Sequence, residues 1–265
     1  MQKVKILTVA DLHQNKGLYE SLAKAVEEHQ PDVLAFVGDF LDGEGFQKSF
    51  SIDDVVRAIG QMKVKKVIFI RGNHEDENWW YFFHVWTPLF GAPIALHAEG
   101  NKTDPGALIG FPCLMGDEEA FRGDREMVMA DTETWLPFVF QQFGKSALSL
   151  WLMHEPPTGT VLSTPHSVVE GNVEWREAIE KYQPWLVIFG HDHWTPKKNQ
   201  WYDTIEESLC VNVGQYTPKK VHYALVEMTF SENQPLPDKM KVTAFPQKQS
   251  LERQLGNGTW KTSKN

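Results

Sequence analysis

Cysteine is scarce in this chain, and that scarcity removes two readings at once. Cys113 and Cys210 are the only two. They are too few and too far apart for a disulfide framework or a cysteine-based metal site, and their apolar surroundings make buried thiols the expectation. Basic blocks are equally absent. Lys65-Lys66, Lys197-Lys198 and Lys219-Lys220 are isolated pairs in a chain of formal net charge −9. A non-specific grip on long nucleic acid needs a basic stripe that neutralises many phosphates, so no extended nucleic-acid surface is expected. No stretch approaches the ~18 apolar residues of a membrane span. The apolar run over 1–10 is too short for a signal peptide and stops at Asp11. A soluble cytoplasmic protein without internal repeats is the expectation.

What is present is a steady alternation of strand and helix patterns. With 265 residues, 42% of them hydrophobic, the chain can bury the core of one large α/β domain. β-rich runs over 4–10, 32–37 and 67–70 alternate with helical spacing over 17–28 and 52–62. Such alternation predicts βαβ units and a largely parallel sheet. Strands over 148–153 and 185–189 flank a helix over 173–182. Strands over 208–213, 221–228 and 240–245 then follow without helices between them. The stretch 79–144 is irregular and rich in aromatics. A single domain over 1–246 is expected, with 247–265 as a polar, frayed tail.

Five short polar clusters stand out from this background. They are Asp11-Leu12-His13, Gly38-Asp39 with Asp42, Gly72-Asn73-His74-Glu75, His154, and Gly190-His191-Asp192-His193. Asp11, Asp39, Asn73, His154 and His191 each fall just beyond the end of a predicted strand, where open α/β sheets bind ligands. Taken singly, an Asp there is usually a cap or turn former and a lone His is structural. Five independent caps have no reason to be this rich in histidine. Carboxylates, an amide oxygen and imidazoles together suit manganese, iron or zinc. A carboxylate such as Asp39 can bridge two ions, and ions about 3.5–4 Å apart can hold a hydroxide and clamp an in-line displacement at phosphorus. His74, beside the amide of Asn73, is placed to protonate a leaving alkoxide or stabilise charge. Asp42 is a candidate for orienting that imidazole.

In this order the clusters resemble the calcineurin-like metallophosphoesterase family, whose pattern is D-x-H, GD-x-x-D, GNH-[DE], a lone His and GH-x-H. The resemblance implies a four-layer αββα sandwich with two central mixed β-sheets. It also implies that Asp11, His13 and His193 hold one ion, that Asn73, His154 and His191 hold the second, and that Asp39 bridges them. The activity implied is hydrolysis of a phosphodiester or phosphomonoester by a metal-bridging hydroxide, with His74 and Asp42 as the catalytic side chains. Val211-Asn212-Val213-Gly214 resembles the family's late N-P-G-S turn without its proline.

Two further signals bear on substrate. His154-Glu155-Pro156-Pro157 resembles the H-x-P-P of small-substrate phosphodiesterases in the family, which favours a diester. The run Trp79-Trp80-Tyr81-Phe82-Phe83 either packs alternate members into the core or offers faces for a nucleobase. Trp194 is better placed to line a pocket. A small phosphorylated substrate, nucleotide-like in character, fits these signals. Two rival readings are weaker. The H-x-H-x-D-H signature of the metallo-β-lactamase fold fails, because Trp194 and Thr195 follow His193. A non-catalytic scaffold of the same fold would be expected to lose His74 or several ligands, and none is lost. The other histidines, His29, His84, His97, His166 and His222, lack ligand spacing and are read as structural or exposed.

Overall fold

The structure is a computed structural model describing residues 1–41, 49–70, 72–75, 94–95, 99–101, 108–111, 137, 140–141, 145, 150–163, 171–231, 236–256 and 259–263. In chain order its first elements are β1 (Gln2–Val9), α1 (Lys16–His29), β2 (Val33–Val37), α2 (Ile52–Gly60) and β3 (Lys66–Ile70). Then come β4 (Ile94–Ala95), β5 (Glu99–Asn101), β6 (Leu108–Phe111), β7 (Leu150–Met153), α3 (Val173–Tyr182) and β8 (Leu186–Phe189). The last are strands: β9 (Tyr202–Ile205), β10 (Ser208–Asn212), β11 (Tyr223–Phe230), β12 (Lys239–Phe245), β13 (Gln249–Gln254) and β14 (Lys261–Thr262).

Two sheets form. One has the order β14-β13-β12-β11-β1-β2-β3-β4 and the other β5-β6-β7-β8-β10-β9. β1 to β4 are parallel, whereas β11 lies antiparallel to β1 and leads an antiparallel meander through β14. In the second sheet β6, β7, β8 and β10 are parallel, with antiparallel β5 and β9 at the edges. Both sheets are therefore mixed, as the family resemblance implies. The largely parallel sheet read from strand–helix alternation is corrected, because late strands without helices between them can pair only as antiparallel neighbours.

The strand sequences explain the layering. The central strands read as unbroken hydrophobic runs, and successive side chains point to opposite faces. Ala35, Val37, Ile68 and Ile70 of the first sheet join Leu150, Leu152, Leu186, Ile188, Leu209 and Val211 of the second in one core between the sheets. The alternate residues Leu34, Phe36, Val67 and Phe69 pack outward on Leu18, Leu22 and Val26 of α1 and on Val55 and Ile59 of α2. Trp151, Met153, Val187 and Phe189 pack on Trp175, Ala178 and Ile179 of α3. Each fully buried aliphatic side chain contributes about 1.5–3 kcal/mol. The helices start where their caps stand. Asn15 Oδ1 accepts from Leu18 N at 3.2 Å, Ser51 and Asp54 form a capping box, and Asn172 Oδ1 accepts from Trp175 N at 2.9 Å.

The polar tail is a second correction. Instead of fraying, residues after 247 supply β13 and β14. Ser250 is buried and shares a hydrogen bond with Thr243 at 2.9 Å. Arg253 donates to Glu207 O at 2.9 Å and stacks over Trp185 at 4.6 Å. Polar side chains satisfied across strands are what composition concealed here. No helix of the described residues is long and apolar enough to cross a membrane.

Candidate metal centre

Because β1, β2 and β3 run parallel, their C-terminal ends open at one edge of the first sheet, and β7, β8 and β10 do the same in the second. The loops leaving those ends knit together through the backbone. Asp11 N donates to Gly38 O at 3.0 Å, His13 N to Asp39 O at 2.9 Å, and Gly190 N to His154 O at 3.1 Å. Left-handed backbone gathers at the same place: Asp11, His13, Gln14, Asp39 and His191 have φ of 57°, 45°, 49°, 51° and 63°. Such conformations cost about 1–3 kcal/mol each and persist where surrounding structure enforces them, typically at functional sites. Gly38, at φ 85°, is confined to glycine by a second constraint, since a β-carbon there would overlap the His154 ring. At Gly72 it would overlap Asp39.

These loops bring the candidate ligands into three groups of donors, each with its atoms within 4.8 Å: Asp11, His13 and His193; His13, Asp39 and His74; Asp39, His154 and His191. His13 and Asp39 each belong to two groups, so the three form a chain. The carboxylates are its buried anchors. Asp11 accepts from His191 N at 2.9 Å and lies 3.7 Å from His193 Nε2. Asp39 Oδ1 accepts from His74 N at 3.0 Å. Its Oδ2 lies 3.2 Å from His154 Nε2, 3.7 Å from His74 Nε2 and 4.0 Å from His13 Nε2. Asn73 Oδ1 is 3.2 Å from His154 Nε2. His154 Nδ1 lies 2.8 Å from Val37 O. Donation of that N–H leaves Nε2 facing the cluster, the usual arrangement of a metal-ligating histidine.

The electrostatics call for a cation here. Burial alone would raise the Asp39 carboxyl, but His154, with His13 and His74 behind it, holds it well below the usual carboxylate range. Burial alone would lower His154, yet Asp39 and Asp11 push its imidazole up to about 10. His191, pushed down to about 3 by burial and by the charge on His154, stays neutral. Two buried carboxylates thus draw positive charge to Nε2 of His154. Together with the mixed oxygen and imidazole donors, this fits a site for divalent metal ions.

Glu75 and Gln215 have no role in the sequence reading, and Asn212 only one as part of a turn, yet all three support the site. Glu75 is fully buried and accepts from Asp39 N at 3.0 Å, Leu41 N at 2.9 Å and Gly72 N at 2.6 Å. Burial and the neighbouring Asp39 charge push its carboxyl up to about 8, against three amides that favour the ionised form. Glu75 clips the loop after β2 to the loop after β3. Asn212, at the end of β10, donates to Asp192 O and Thr195 Oγ1 at 2.8 Å and accepts from Gly214 N at 2.7 Å, pinning the His191–His193 loop. Gln215 Nε2 reaches Ala10 O at 2.9 Å and so steadies the residue before Asp11. Removing Glu75 leaves three buried amides without their acceptor. Glu75→Ala is therefore expected to lower the unfolding free energy by at least about 3 kcal/mol, and Glu75→Gln by less. Urea denaturation of both variants checks this, and a Glu75→Ala loss under about 1 kcal/mol would remove the clip from the account.

His222 is buried, donating Nδ1–H to Gly214 O at 3.0 Å. His29 lies 2.8 Å from the Tyr223 hydroxyl. Neither falls in a donor group. Cys210 is buried and free. Asp42, the aromatic run 79–83, Cys113, His84, His97 and His166 lie outside the described residues.

No curated protein matches the chain. Solved structures do. The TT1561 protein of Thermus thermophilus shares the fold with a TM-score of 0.61 at 16% identity, over 85% of this chain and 94% of that one. A dimetal phosphatase from Danio rerio shares it with a TM-score of 0.60 at 13% identity, over 91% and 95%. The profile of calcineurin-like phosphoesterases matches residues 4–195, a span holding every candidate ligand from Asp11 to His193. The chain belongs to the calcineurin-like phosphoesterase family of metal-dependent phosphoric ester hydrolases.

Proposed function

We propose that this chain hydrolyses a small phosphoester at a pair of divalent ions, with Asp39 as the shared ligand. The observation that carries this reading is the chain of three donor groups, in which one buried carboxylate faces three imidazoles across 3.2–4.0 Å. Asp11, His13 and His193 would hold one ion, and Asn73, His154 and His191 the other. Manganese, iron or zinc suits these donors. When bound, such ions supply a hydroxide near neutral pH and neutralise charge building at phosphorus.

The chain's own residues do the rest. Asp11 and Asp39 are held in place by backbone amides at the base of the site. His74, whose side chain keeps 20% exposure, faces the open side. It can donate a proton to the departing oxygen or meet the charge that develops there. A ligand set and His74 complete in one place favour a working hydrolase over a binding scaffold.

The alkoxide leaving group of either kind of ester needs an acid, so His74 serves both, and it is His154-Glu155-Pro156-Pro157 that makes diesters the favoured class. A panel of chromogenic mono- and diesters with added manganese tests this. Diester turnover is expected to exceed monoester turnover. Monoester turnover greater by tenfold or more would overturn the preference, and no metal-dependent turnover on any ester would overturn the hydrolase reading.

A further inference from the structure

A cavity of about 460 Å³ opens beside the first donor group, within the size range of small-molecule sites. Asp11, His13 and His193 make one wall, and Trp194, Lys197 and Tyr216 also line it. Trp194 is 51% exposed, although its loop is fixed by donation of Trp194 N to Asp192 Oδ1 at 2.6 Å. Lys197 Nζ sits 5.1 Å from the Trp194 ring centroid. Tyr216 comes from a different segment, held edge-on against His222 with centroids 5.7 Å apart. Its hydroxyl makes no hydrogen bond among the described residues. Two aromatic rings on anchored loops, with the Lys197 ammonium beside one of them, form a platform that neither the ligand set nor the core requires.

We infer that this cavity is a subsite for a planar aromatic group carried by the phosphoester, which stacks on Trp194 beside Tyr216. The inference rests on the function proposed above, since it takes the donor groups as the seat of the phosphoryl group. Aromatic side chains stack a base irrespective of its identity, because every base has a π-face. With no partner among the described residues, the Tyr216 hydroxyl can bond a ring heteroatom. Lys197 adds positive charge where an anionic ester enters. A carbocyclic aryl group and a nucleobase share this chemistry.

Calorimetric titration of the manganese-loaded chain with phosphonates tests the subsite, because their carbon–phosphorus bond is not cleaved by the proposed chemistry. Methylphosphonate is compared with 1-naphthylmethylphosphonate and with the phosphonate analogue of adenosine monophosphate. At least one ring-bearing ligand is expected to bind about tenfold or more tighter than methylphosphonate. Preference for the naphthyl or the adenosine compound alone would identify the ring as carbocycle or base and would uphold the subsite. Trp194→Ala is expected to shrink the gap to about twofold or less, with Trp194→Phe keeping most of it. Equal affinities in the wild type would overturn the inference. So would a gap that survives both Trp194→Ala and Tyr216→Ala. Equal affinities alongside ester turnover would leave the hydrolase reading standing. A clear gap without turnover would sink the hydrolase reading and keep the subsite.

Discussion

His74→Ala is expected to retain its metal content and its fold while losing about 10²–10⁴-fold in turnover, the usual contribution of a general acid or base. That range corresponds to about 3–5 kcal/mol of transition-state stabilisation. The geometry makes the metal measurement informative. His74 Nε2 lies 3.7 Å from Asp39 Oδ2 and belongs to a donor group with His13. If His74 were a ligand, elemental analysis of the variant would show fewer ions per chain. If it is the acid, the loss should depend on the leaving group. A nitrophenyl ester departs without needing a proton, so the variant should be damaged less on it than on an alkyl ester. Equal losses on the two would assign charge stabilisation, and undiminished turnover on both would remove His74 from the mechanism.

Asp39→Ala is expected to strip more metal and activity than any other single ligand change. Its carboxylate links two of the three donor groups and is the partner shared by His154, His74 and His13. Residues that only orient ligands typically cost about 10–100-fold when removed, and a shared ligand should exceed that. The substitution also strands His154, whose imidazole is drawn up chiefly by Asp39. Asp39→Asn is the companion variant, because it keeps an acceptor for His74 N while removing the charge. Two ions per chain in purified Asp39→Ala would exclude a bridging role.

The sequence was legible where physics is local. Val33–Val37, Lys66–Ile70, Leu150–Met153 and Leu186–Phe189 are short apolar runs that lead into the Gly, Asp, Asn and His of the clusters. Runs of that kind mark both a buried parallel strand and the place where its loop presents ligands. Asp39, Asn73, His154 and His191 could therefore be picked out as candidates residue by residue. Contributions that depend on distant partners were not legible. Glu75 stood in plain view beside His74, but its role exists only because three amides from two loops converge on it. The last strands were hidden for a related reason. The bond from Trp201 to Gln249 and the burial of Arg253 against Glu207 cannot be read until those partners are in place. Trp194 and Tyr216 share one cavity only through the fold, with β9 and β10 lying between them in the chain.

The pairing of β1 sets a timetable for synthesis. Ile6 is flanked by Val33 on one side and by Val226 on the other, so β1 has one neighbour supplied almost at once and the other only much later in the chain. Every candidate ligand emerges from the ribosome before β11 does. A nascent chain can thus display its complete set of metal donors while the edge of β1 is still bare. Such an edge is a template for foreign strands, and pairings so distant in sequence form slowly. The meander from β11 to β14 works as a closing strap that arrives after all the ligands. Chains halted shortly after His193 should therefore aggregate rather than settle into a smaller working enzyme.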